Sequence, residues 1–159
     1  MGDVAIEGGS LRYRKAGAGD PVIFVSGLGG TAVFWAAQVQ AFAGSFTVVT
    51  YDHRGVGGST GAPPYSVTQW SGDLLALVDA LGIDRFHLVG HSTGGIIAQV
   101  FSASHPRRVR SLVLSGTWLL PDARFRDLFA LRKDVLVSMG EAAYRTFGDL
   151  LASSGPREA

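Results

Sequence analysis

Ser92 stands in the stretch "LVGHSTGGIIAQ", residues 88–99, with Gly90 two places before it, Gly94 two places after, and an apolar run on each side. A serine framed by glycines in this way is the pattern of a nucleophile carried on a sharp strand-to-helix turn. The glycines let neighbouring backbone come close to a strained residue whose hydroxyl projects above a sheet edge. Such a hydroxyl attacks an acyl carbonyl. It then needs a base for its proton, an acid to orient the base, and N–H groups to hold the oxyanion of the tetrahedral intermediate. The bare pattern is weak in a chain with 22 glycines. Its setting is stronger, because a buried strand must precede the serine and a helix must follow it, and residues 86–89 and 96–101 fit those two requirements. The Thr93 amide would then lie at a helix N-terminus and point toward the oxyanion. A second donor is expected in "SGLGGTAVFW", after the strand at residues 22–25, where the backbone of Gly27, Leu28 and Gly29 would present the Leu28 amide.

A base and an acid are harder to find. His91 directly precedes the serine, so its ring points across the turn and shapes the elbow by hydrogen bonding. His53, in "DHRG", reads as structural or solvated, and His87 as a strand residue. His105 ends a helix, where a cation suits the dipole. Asp73 and Asp79 read as helix-surface charges, Asp84 as a turn residue, and Asp122 in "LLPDARF" as the N-cap of the next helix. No His-x-His or His-Glu spacing suggests a metal site. With no cysteine in the sequence, disulfides and thiolate catalysis are excluded.

The elements that must position these residues alternate. A small hairpin is expected around Gly8-Gly9-Ser10. Four apolar strands follow, at residues 22–25, 46–52, 86–90 and 109–116. Helices are expected at residues 31–42, 66–81 and 93–103, with Gly82 as a stop for the second. Buried strands alternating with helices imply a mostly parallel α/β sheet covered on both faces. From Pro121 the pattern changes to two amphipathic helices, the second at residues 141–151. Arg124, Arg126, Arg132 and Lys133 form their wet face.

The 159 residues allow one ordinary domain. Their 47% hydrophobic content and mean hydropathy of +0.23 are high, and the formal charge of +1 gives no hint of nucleic acid or an anionic membrane. No secretory signal is visible, and no apolar run reaches the roughly 20 residues of a membrane span. The expected setting is the cytoplasm, with no membrane and no nucleic-acid partner.

Four linked motifs carry a family resemblance. They are "SGLGG" for the oxyanion loop, "YDHRGVGGS" after the next strand, "GHSTGG" at the elbow, and "SHPRRVRSLVLSGT" leading to the last strand. In this order and spacing the chain resembles the α/β-hydrolase fold family, and within it the branch near aminoacrylate hydrolase and 3-oxoadipate enol-lactonase. The resemblance implies a serine hydrolase with no cofactor, acting on an ester, lactone or amide-like bond of a small molecule. Its nucleophile would be Ser92 and its oxyanion donors Leu28 and Thr93. Phe34, Trp35, Trp118, Phe125 and Phe129 would line the substrate pocket. The family's acid and histidine follow later strands. The sequence would then comprise an N-terminal core at 1–117 and the start of a helical cap at 118–159, with the later core strands absent. The strand at 111–114 would be left as an open edge, prone to self-association or to pairing with a complementing segment.

Two other readings stand beside this one. One is a non-catalytic binding module on the same scaffold. The other is a dinucleotide-binding protein, since Gly27-x-Gly29-x-x-Ala32 matches that fingerprint and Asp52 lies about 20 residues on, where a ribose-binding carboxylate belongs.

Overall fold

The structure is a computed structural model that describes residues 1–63 and 65–153. Strands β1 (Gly2–Ile6) and β2 (Gly9–Ala16) form an antiparallel hairpin that turns at Glu7 and Gly8, the latter with φ of 72°. Then come β3 (Asp20–Val25), α1 (Ala36–Phe42), β4 (Phe46–Tyr51), α2 (Val67–Ala80), β5 (Phe86–His91), α3 (Thr93–Ser104), β6 (Val109–Ser115) and α4 (Ala123–Ser153). The six strands lie in the order β1-β2-β4-β3-β5-β6. β2 meets β4 antiparallel, and β4, β3, β5 and β6 run parallel. This is the mostly parallel α/β architecture expected from the apolar strands.

The period-2 alternation of the central strands divides the core into two layers. Ile23, Val25, Val49, Tyr51 and Leu88 pack on one face with Leu74, Leu77 and Val78 of α2 and Ile97 and Phe101 of α3. Val22, Phe24 and Val48 pack on the other face against Trp35. Both faces of β3 and β4 are therefore occupied, which is why residues 22–25 and 48–49 are consecutive apolar side chains. β6 is the last strand of the sheet, and Val113 and Leu114 on it are 52% and 43% exposed.

Helix α2 starts where Ser66 accepts a hydrogen bond from the Gln69 amide (3.1 Å) and stops at Gly82, whose φ is 65°. The helix expected at residues 31–42 is instead a 3₁₀ turn (Ala32–Trp35) followed by the short α1. The turn is tight because the Ala32 amide is tied to the Asp52 carboxylate (2.7 Å). The chain divides into two compact units, Met1–Leu119 and Leu120–Ala159. In the second, α4 is broken at Gly140, whose φ of 83° and ψ of 179° are not helical. Of the expected helix at 141–151, the side chains beyond 148 lie outside the described residues.

Candidate active site

Ser92 has φ of 54° and ψ of −124°, and it alone among the described non-glycine residues has a positive φ. It sits between the last residue of β5 and the first of α3, so the chain reverses at that one residue. Backbone strain of this kind persists only where the surroundings impose it. Here the Ser92 amide donates to the Ser115 carbonyl (3.0 Å), while the Ser92 carbonyl accepts from the Gly95 amide (2.9 Å) and the Thr117 hydroxyl (2.7 Å).

The neighbouring glycines are there for space. A Cβ on Gly90 would stand 2.5 Å from the Gly94 carbonyl oxygen, and one on Gly94 would collide with the carbonyls of Val25 and Ser26. The helix N-terminus is thereby pressed against the end of β3. A Cβ on Gly27 would lie 3.2 Å from Ser92 Cβ and 3.5 Å from its Oγ, so the loop after β3 faces the serine side chain.

That loop is held from the end of β4. Asp52 is buried, and its two carboxylate oxygens accept from the Ala32 amide (2.7 Å) and the Gly58 amide (2.8 Å). His53 is 4% exposed, and its Nε2 lies 2.8 Å from the Ser26 carbonyl. The His53 amide also donates to the Gly30 carbonyl (3.3 Å), and Gly30 closes a turn onto the Gly27 carbonyl (2.9 Å). Burial lowers the basicity of His53, against weaker pulls from the Ser26 carbonyl and the carboxylates of Asp73 and Asp52. Asp52 is buried with each carboxylate oxygen bound to a loop amide, so it serves the scaffold where the dinucleotide reading needs a carboxylate presented to a ribose.

The other expected site residues are spread more widely. Leu28 is exposed on the loop, and Thr93 is buried as the first residue of α3. Phe34 is 55% exposed and stacks on the His91 ring (centroids 5.1 Å apart). Trp35 is buried against Phe24 (4.8 Å) and belongs to the second core layer. The Trp118 carbonyl accepts from the Gln99 side chain (3.0 Å). Phe125 and Phe129 stack on each other (4.4 Å) in the second unit.

His91 leans toward the Ser115 hydroxyl (3.4 Å), and His87 meets the Ser111 hydroxyl (2.7 Å). Among the described residues no histidine is hydrogen-bonded to the Ser92 hydroxyl. Asp122 caps its helix as expected, accepting from the Phe125 amide (2.7 Å).

A second expectation is overturned. Asp73 is no surface charge: it is buried and pairs with Arg54 through Nη2–Oδ1 (2.5 Å) and Nε–Oδ2 (3.0 Å). The helical spacing contained the signal. Asp73 is three residues after Trp70, next to Leu74 and four before Leu77, so it falls on the apolar stripe of α2. An acid there needs a cation, and the arginine of "DHRG" supplies it. Thr117, which holds the elbow carbonyl, is the other residue that the motif alone did not single out.

A sequence model of the alpha/beta hydrolase fold matches residues 20–150. The chain belongs to that family. RutD of Azorhizobium caulinodans, a protein named as a carbamate hydrolase, is 38% identical over 135 residues, which are 84% of this chain and 51% of that protein. RutD of Caulobacter sp. (strain K31), named likewise, is 42% identical over 141 residues, 87% of this chain and 51% of that one. Among solved structures, the enol-lactonase from Burkholderia xenovorans LB400 superposes with a TM-score of 0.80 at 31% identity, over 89% of this chain and 56% of that one. The chain thus spans about half the length of the curated relatives it matches. Among the described residues, no group of three or more His, Cys, Asp or Glu could hold a metal ion, and no helix is long and apolar enough to cross a membrane.

Proposed function

We propose that Ser92 is the nucleophile of a serine hydrolase acting on an acyl bond (ester, lactone or carbamate-like) of a small molecule. The observation that carries this reading is the left-handed backbone of Ser92 at a strand-to-helix turn, with Gly27 of the facing loop against its side chain. Ser92 Oγ attacks the carbonyl carbon as its proton passes to a histidine base. The carbonyl oxygen becomes an oxyanion held by the amides of Leu28 and Thr93. Collapse expels the leaving group with that proton, and water then cleaves the acyl-serine, regenerating the hydroxyl. None of the four histidines of this sequence is assigned as the base. Acid and histidine are assigned to the part of the relatives' length that this chain does not span. The substrate class follows from the names of the relatives, and Phe34 and Trp118 are the pocket residues this reading favours on the first unit.

A fluorophosphonate probe tests the nucleophile. We expect a single adduct on Ser92 in the protein extended to its relatives' length, abolished by Ser92→Ala. An adduct that survives this change refutes the assignment. A second reading, a binding module on the hydrolase scaffold, starts from the same geometry, in which among the described residues no histidine is hydrogen-bonded to Ser92 Oγ. That reading gains if the probe labels neither this chain nor the extended protein.

A further inference from the structure

We propose that His53 is the positioning residue of the oxyanion loop: its Nε2–H holds the Ser26 carbonyl and thereby sets where the Leu28 amide stands against Ser92. The proposal rests on the reading of Ser92 as a nucleophile for its catalytic meaning, but its geometry is independent of that reading.

The stem of the loop leaves β3 at Ser26, 1% exposed. A peptide unit is rigid, so fixing the Ser26 carbonyl fixes the plane that also carries the Gly27 amide, and the next unit carries the Leu28 amide. Two groups bear on that carbonyl. On one side is Gly94 of α3, where a Cβ would strike it. On the other is His53 Nε2 at 2.8 Å. His53 is therefore wedged behind the one peptide that separates the elbow from the loop. The rest of the loop is tied elsewhere: Ala32 to Asp52, Gly30 to the His53 amide, and the Ser26 hydroxyl to the Thr31 carbonyl (3.1 Å). Among the described residues no other side chain bonds the Ser26 carbonyl.

The chemistry fixes the tautomer. A carbonyl only accepts, so Nε2 must carry the proton. Nδ1 is buried without a hydrogen-bond partner among the described residues, so a second proton there would be an unpaired buried donor. The ring is 4% exposed and lies against Tyr51 (5.4 Å) and Trp70 (5.9 Å). It is a neutral, buried donor aimed at one carbonyl.

Two substitutions separate positioning from packing. His53→Gln keeps an N–H donor near the place of Nε2, and His53→Leu keeps bulk without a donor. In backbone amide spectra of the chain, we expect His53→Leu to move the Gly27 and Leu28 resonances and His53→Gln to restore them. Unmoved Gly27 and Leu28 resonances in His53→Leu overturn the proposal. Should His53→Leu not fold, long-range nitrogen–proton correlation on the unsubstituted chain decides: an Nε2–H tautomer supports the proposal and an Nδ1–H tautomer overturns it. In the extended protein, the rate of fluorophosphonate labelling should fall about ten- to a hundredfold in His53→Leu, as for a misplaced reacting group, and recover in His53→Gln. Wild-type labelling at Ser92 with an unchanged rate in His53→Leu also overturns it. Absence of wild-type labelling counts against the nucleophile alone, and the amide spectra still decide on His53.

Discussion

Replacing Ser92 by glycine should stabilise the protein relative to replacing it by alanine. At φ 54°, ψ −124° a Cβ is strained, and residues held in such sparsely populated regions cost about 1–3 kcal/mol. Alanine keeps the Cβ and loses only the hydroxyl, whereas glycine removes the strain. Glycine carries its own cost of about 0.5–1 kcal/mol, through the greater freedom of the unfolded chain. Taking the middle of each range, Ser92→Gly stands ahead of Ser92→Ala by about 1.25 kcal/mol. An unfolding entropy of about 2.1 cal/mol/K per residue, over the unit Met1–Leu119, converts this to a gap in Tm of about 5 °C. Calorimetry or thermal circular dichroism of the two variants reads it directly. Ala103→Gly, exposed in the last turn of α3, is the control and should lose stability, by less than the about 1 kcal/mol of a helix interior. If Ser92→Gly is no more stable than Ser92→Ala, the serine is not strained and the elbow loses its main support.

Three further outcomes are expected. Asp73→Ala leaves the Arg54 guanidinium, 2% exposed, without its carboxylate and should cost about 3–5 kcal/mol, read as a lower urea midpoint at constant m-value; the double change Arg54→Met with Asp73→Leu should cost less. His53 is less basic folded than unfolded, so the unfolded chain binds more protons and stability must fall as pH drops through about 6.5, with a slope approaching about 1.4 kcal/mol per pH unit. His53→Gln should flatten that part of the profile, set against the fixed surroundings of Tyr51, Trp70, Asp52 and the Asp73–Arg54 pair. The open edge of β6 should make the chain self-associate with concentration in sedimentation velocity, and Val113→Lys should shift it toward monomer; a monomer at all concentrations would refute this.

Much of the fold is written in local pattern. Apolar-rich runs marked β3, β4 and β5 as buried strands, and the spacing of Trp70, Leu74, Leu77 and Leu81 marked α2. The elbow was legible because its demand is local: glycines at fixed offsets between a strand and a helix. The burial of Asp73 was legible in its place on the apolar stripe of α2, but its partner was not, and nothing local marked the partner of His53. The packing of α2 on the sheet brings Asp73 to Arg54 across 19 residues, and the pairing of β4 with β3 brings His53 to Ser26 across 27.

The strand order also explains why the site can sustain a strained serine. Because β4, β3, β5 and β6 are neighbours and parallel, their C-terminal ends line up: His53 beside Ser26, Ser26 beside Gly94, and Ser92 beside Ser115 and Thr117. Val25 is level with Gly90, and Gly90 with Leu114. The elbow is thus gripped from the β3 side by packing and from the β6 side by two hydrogen bonds. A disturbance on the β4 side reaches the loop that faces the hydroxyl through Ser26, Gly30 and Ala32. On this geometry, changes at Asp52 or His53 act on the loop amides, while changes at Thr117 act on the serine backbone. Thr117→Val, which keeps the shape and removes the donor, should therefore relax Ser92 without moving Leu28.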